Sequence, residues 1–259
     1  MRPTLTGAVA KTPESRTDDM VTWSDFVLDS VQAAVFTPDG SGFASGKAVG
    51  ALLPAFRDRF GGDMQALPLP AGVPPEIPHV ILQSVNKQLR LQMGPARTDY
   101  FWTNEPSASP PPLSDLIGQA VEVLDRYARE MPMTVKRLAL VVGRVCPAPN
   151  PAPVLVERFC NEVSRQGPFK RSENFEIHNH KAYTPAGLGY AVNSWVRCKT
   201  GLQAPDNRPV ILVEQDLNTL AEMVQSRRFS PADVRAFFET AGREMDEILR
   251  VYYPQQEGR

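Results

Sequence analysis

The stretch Glu176-Ile177-His178-Asn179-His180 holds the residue types best suited to chemistry in this 259-residue chain. On a strand, side chains at i, i+2 and i+4 share one face, so Glu176, His178 and His180 line up together. Two imidazoles and a carboxylate form a ligand set for zinc or ferrous iron. A divalent transition metal held there would support a metal-dependent hydrolase or nuclease. Two of the three histidines of the chain sit in this segment. The same alternation has a plainer reading, in which Phe175 and Ile177 face a core and the polar set faces water. The letters His-Asn-His are not an HNH nuclease motif, whose residues are dispersed over a ββα metal unit.

Other chemistries find less support. Cys146 or Cys198 with His178 would make a Cys–His pair, but no nucleophile elbow or orienting motif accompanies them. There is no GxxxxGK[ST] phosphate loop, and Gly40-Ser41-Gly42 ahead of Lys47 lacks the spacing. A nucleic-acid patch would draw on Arg171, Lys181, Arg197 and Lys199, interleaved with Phe169, Tyr183 and Tyr190. Phe175 and Trp195 read as core, and Glu214, Asp216 and Glu222 lie close in sequence.

Composition narrows the class. With 28 Lys+Arg against 29 Asp+Glu, the chain lacks the basic excess of a domain built around a phosphate backbone. Hydrophobic residues make up 42% and charged residues 22%, which excludes wholesale disorder. No apolar stretch approaches the roughly 18 residues that span a bilayer. Three cysteines without a CxxC cannot all pair and read as reduced thiols of a cytoplasmic protein. Residues 1–22 read as a flexible leader with no apolar signal region. The 25 prolines, well above an average usage of about 5%, gather in belts near 68–78, 106–112 and 147–153.

The elements between those belts must position any site. Val31–Thr37 reads as a strand and Ser45–Phe60 as a helix, with Pro54 inside it as a kink or split. Val80–Val85 and Gln88–Met93 read as a hairpin turning at Asn86-Lys87, with Leu89, Leu91 and Met93 on its buried side. Tyr100–Thr103 continues the strands. Leu113–Glu130 carries apolar residues at i, i+3 and i+4 and predicts a long helix. Lys136–Val145 starts a second series, with a helix over Val154–Arg165 and strands over Asn174–Lys181, Leu188–Lys199 and Val210–Asp216. The last two strands flank a Thr200–Pro209 loop. A capped helix closes the chain, with Ser230, Pro231 and Asp233 at its start. The order predicts an α+β fold of two similar lobes, 23–131 and 132–259, each with antiparallel strands packed by a long amphipathic helix.

Three segments, Gln88-Leu89-Arg90-Leu91-Gln92-Met93 with Trp102, Val213–Thr219, and Phe237-Phe238 through Tyr252-Tyr253-Pro254, resemble a sporadically distributed bacterial family of about 250 residues and undefined function. The resemblance covers most of 28–254. It implies a bacterial accessory protein of a defence or mobile-element gene cluster and carries no catalytic residues. Taken with the strand edges and grooves that proline-flanked antiparallel strands offer, the expected function is a non-enzymatic binding module. Its expected partner is a protein or a second copy, with RNA or DNA as an alternative and no resident cofactor.

Overall fold

The computed structural model describes residues 21–40, 42–70, 72–105 and 108–255. Of the leader expected over 1–22, only Val21 and Thr22 fall among them. Among the described residues nine strands form one antiparallel sheet: β1 (Val27–Phe36), β2 (Met64–Ala66), β3 (Val80–Gln83), β4 (Leu89–Met93), β5 (Arg97–Thr103), β6 (Arg137–Pro147), β7 (Glu176–Tyr183), β8 (Val192–Gln203) and β9 (Arg208–Thr219). Their spatial order is β2-β3-β4-β5-β1-β6-β9-β8-β7. The chain is α+β, and no described helix is long and apolar enough to cross a membrane.

The first strand of each half lies at the centre of the sheet. β1 pairs with β5 on one side and with β6 on the other, and β6 then pairs with β9. A bulge at Asp29 between the Leu28 and Ser30 pairs keeps the alternation of β1 in phase with β6. Val31, Ala33, Val35, Leu138, Leu140 and Val142 therefore all face one side and are fully buried there.

Two long helices cover that side. α2 (Leu113–Glu130) buries Leu116, Ile117, Ala120, Val121, Val123, Leu124 and Tyr127, the stripe its 3.6-residue period demands. α5 (Pro231–Tyr252) starts with a full capping box, in which the Asp233 N–H donates to the Ser230 hydroxyl and the Ser230 N–H to the Asp233 carboxylate at 2.8 Å. The two helices pack on each other, and at their crossing a Cβ added to Gly242 would press into the Ile117 side chain. One core cluster accordingly mixes both halves: Val31, Tyr100, Leu124, Leu140, Leu217, Phe237 and Phe238 belong to it together. A second, smaller cluster at the β8–β9 end joins Cys146, Leu155, Val196, Cys198, Val213, Leu249 and Tyr253.

One buried polar clamp holds α5 in place. Arg144 on β6, 5% exposed, donates to the Gln215 side chain and pairs with Asp246 on α5, while Gln215 Nε2 donates to the Met245 carbonyl at 2.8 Å. Burial lowers the Arg144 pKa, and the Asp246 charge opposes that shift.

Several elements differ in extent from the expectations. The helix begun at Ser45, α1 (Ser45–Leu52), stops before Pro54, whose missing N–H and ring prevent its continuation; turns carry the chain to the buried Phe56 and Phe60. The single helix expected over 154–165 is two. α3 (Pro151–Phe159) begins three residues earlier at a proline, and α4 (Glu162–Gln166) restarts where the Asn161 side chain accepts from the Ser164 N–H at 2.9 Å. β8 and β9 run on into the expected loop as far as the Gln203–Arg208 pair, leaving only 204–207 as the turn. β2, three residues long, carries too little pattern to be read as a strand.

Candidate functional site

Helices α1, α2, α3 and α5 and both core clusters lie on one side of the sheet, and neither core cluster reaches the other side among the described residues. Period-2 alternation decides what it shows. One row runs through Gln83, Arg90, Phe101, Gln32, Val141, Asp216, Trp195 and His180, one residue from each strand from β3 to β7. Arginines lie over aromatic rings along this face. Arg90 sits 4.6 Å from the Phe101 centroid, and Arg97 and Arg137 sit 4.8 and 5.0 Å from that of Phe36. Carboxylates fill the spaces between. Asp99 accepts from Arg97 at 2.7 and 2.9 Å and from Gln32 at 2.9 Å, and Asp216 accepts from Asn218 at 2.9 Å. Burial raises the Asp216 pKa, against the Asn218 hydrogen bond and the nearby Arg137 charge.

The predicted metal set sits on β7, the outermost strand, and all three side chains project from the open face. Each has a neighbour. Arg197 Nε lies 2.9 Å from Glu176 Oε1, with Glu214 on its other side at 3.7 Å. The His180 ring stacks on Trp195 at 3.9 Å and 15°, with Nε2 3.1 Å from Asn193 Oδ1. His178 tilts against the same indole at 5.0 Å. Among the described residues no group of three or more His, Cys, Asp or Glu is placed to hold a metal ion. Trp195, expected in the core, is 36% exposed and forms the platform on which the histidines rest.

The four basic residues of the predicted nucleic-acid patch do not share a surface. Arg197 and Lys199 are on the open face of β8. Lys181 is on the helix side of β7 over Tyr183, and Arg171 stands in the turn before β7 with φ at 63°. The thiols are remote from chemistry: burial pushes Cys146 and Cys198 up to about 11, which leaves them protonated near neutral pH.

The main chain of β7 adds a feature that side-chain motifs do not carry. Thr200 N–H donates to Phe175 C=O at 3.1 Å, so Ile177, Asn179, Lys181 and Tyr183, at intervals of two, are the residues hydrogen-bonded to β8. The N–H and C=O groups of Glu176, His178, His180 and Ala182 point the other way, off the sheet. No described backbone hydrogen bond outside the β7–β8 ladder reaches them. Asn179 Nδ2 and the Tyr183 hydroxyl fasten the strand from the helix side, donating to Tyr252 Oη and Glu244 Oε2, each at 2.7 Å.

Arg90, Arg97, Asp99, Phe101 and Phe36 carry no motif in the sequence because they are spread over three strands. The alternation of Arg90 with Leu89 and Leu91, like that of the polar set 176, 178 and 180 with Phe175 and Ile177, is the local signal that one side of this sheet is polar. The chain matches no protein-family model and no curated protein.

Proposed function

We propose that this chain is a non-enzymatic binding module that takes a protein partner along the free edge of β7. The outward N–H and C=O groups of Glu176, His178, His180 and Ala182 carry the reading, because a second β-strand matches that alternation of donors and acceptors. A phosphate backbone offers acceptors only and would leave the carbonyls unanswered. Selectivity would come from the side chains on either flank: Trp195 with its two histidines on the open side, Ile177 and Asn179 on the other. The near balance of arginines and carboxylates across the open face also favours a polypeptide over a polyanion. The unpaired cysteines Cys146, Cys160 and Cys198 support a reducing, cytoplasmic setting. The central β1–β6 pairing, with each half's last strand beside its first, supports reading 23–131 and 132–259 as two similar lobes; the accessory role in a bacterial gene cluster rests on the family resemblance.

The test is a comparison of partners co-purified with the wild-type chain and with His178→Pro. Proline removes an outward N–H and leaves the β8 ladder intact. A partner recovered by the first and lost from the second is the expected result; equal recovery refutes the edge. A second reading is a divalent-metal hydrolase site, favoured by the common face of Glu176, His178 and His180. A stoichiometric transition metal in the purified protein, lost in His178→Ala, would put that reading first.

A further inference from the structure

We infer that the strand which completes the β7 edge is β7 of a second copy of this chain, paired antiparallel across a two-fold axis normal to the sheet. The inference rests on the reading that this edge binds protein. Such an axis keeps both helix layers on the same side and continues the sheet from nine strands to eighteen, twice the nine of one chain.

Hydrogen bonding restricts the register. The outward groups belong to even-numbered residues, so these must face one another. An axis through His178 pairs Glu176 with His180 of the second copy, His178 with its own counterpart, and His180 with Glu176. Three pairs that each exchange two main-chain bonds give six bonds. An axis through Asn179 would instead set His178 against His180 and Glu176 against Ala182, with no carboxylate opposite either imidazole.

Side-chain chemistry favours the first register. In one chain Glu176 uses Oε1 toward Arg197, and its second oxygen is available to accept from a facing imidazole N–H. The contact is made twice by symmetry. It extends the row Trp195–His180 into Glu176 and Lys199 of the second copy, so aromatic, imidazole, carboxylate and ammonium groups alternate across the seam. The opposite edge of the sheet lacks the means for such a contact. β2 is three residues long and is followed by Pro68 and Pro70, which have no N–H.

Sedimentation velocity of the full chain over a range of concentrations tests the inference. The wild type should form a concentration-dependent dimer. His178→Pro should raise its dissociation constant at least about tenfold, with an unchanged far-UV circular dichroism spectrum. Glu176→Lys should weaken the dimer, and Glu176→Lys with His180→Glu should restore it by exchanging the charges across the seam. A wild type that stays monomeric, a dimer indifferent to His178→Pro, or a double variant no better than Glu176→Lys overturns the pairing. A monomer whose captured partner is still lost in His178→Pro overturns self-pairing alone. Capture that is indifferent to that change removes the edge reading as well.

Discussion

The sheet ends in β2 on one side and in β7 on the other, and the two edges are built on different principles. β2 pairs with β3 through only three residues, Met64–Leu82, Gln65–Ile81 and Ala66–Val80, before prolines remove the donors beyond it. Prolines and brevity are the means by which an edge is closed to further strands. β7 runs for eight residues without a proline, and side-chain bonds to Tyr252 and Glu244 hold it against α5. Its one protection is the charge and imidazole content of Glu176, His178, His180 and Lys181. Those same groups complement a strand carrying the reversed order. The contrast teaches that an edge is open or closed by its main chain first, and that side chains then select what may join it.

Conditions that loosen the β7 end first will break the comparison most severely. Burial pushes the Cys146 and Cys198 thiols from about 9 up to about 11, and both lie in the core cluster next to β8 and β9. Raised folded-state values mean that this stability is complete below pH 9 and is lost as pH climbs toward 11, because the unfolded thiols ionise first. Denaturant titrations should show a loss of about 2–3 kcal/mol by pH 10 from the two thiols together. Amide exchange should reveal the β7–β9 end opening before the β2–β5 end.

A smaller loss, about 2 kcal/mol, is expected for Asp246→Ala, measured by urea denaturation. It leaves Arg144 buried without its carboxylate, and the half-exposure of Asp246 keeps the cost below that of a fully buried pair. α5 would lose its hold on β6 and β9, so protection should again fall first on the β7 side. Next comes Asn179→Pro, which deletes an inward N–H of the β7–β8 ladder together with the Nδ2 bond to Tyr252 Oη and should cost about 1–2 kcal/mol. The same replacement one residue earlier, His178→Pro, should leave stability within about 0.5 kcal/mol while weakening association at least about tenfold. Equal thermal shifts for the two variants would refute the assignment of outward and inward groups. The smallest effect belongs to Pro68→Ala, which returns an N–H beyond β2. Stability should move by less than about 0.5 kcal/mol, and β2 should stay closed because three residues are too few to seat a partner.

Much of the fold was legible from local pattern. The helix over Leu113–Glu130 has the bounds its apolar period predicts, and the Ser230-Pro231-Asp233 cap starts α5 where expected. These signals read well because a helix makes its hydrogen bonds within itself and announces its buried face at every turn. The hairpin at Asn86-Lys87 was equally local, with Lys87 at φ 62° in the turn. Boundaries failed where a backbone donor was missing or supplied from elsewhere: Pro54 ended α1, and Asn161 divided the next helix with its own side chain. The alignment of Glu176, His178 and His180 was legible from the strand period. Their neighbours were not, because Trp195 and Arg197 reach them only through the β7–β8 register.

By itself the sequence determined most of the strand and helix segments, the apolar side of the long helices and of β4, and that proline would punctuate them, since these depend on periods of two and 3.6 residues and on missing N–H groups. Tertiary structure alone decided that β1 and β6 meet at the centre, that both long helices share one side, and that β7 stands at an edge. Strand order is set by long-range hydrogen bonds and by burial of one common apolar face, which leave no trace in local spacing. For that reason the His178–His180 segment displays its side-chain chemistry in the sequence, whereas its free main chain emerges only once β8 has taken the other half of the hydrogen bonds.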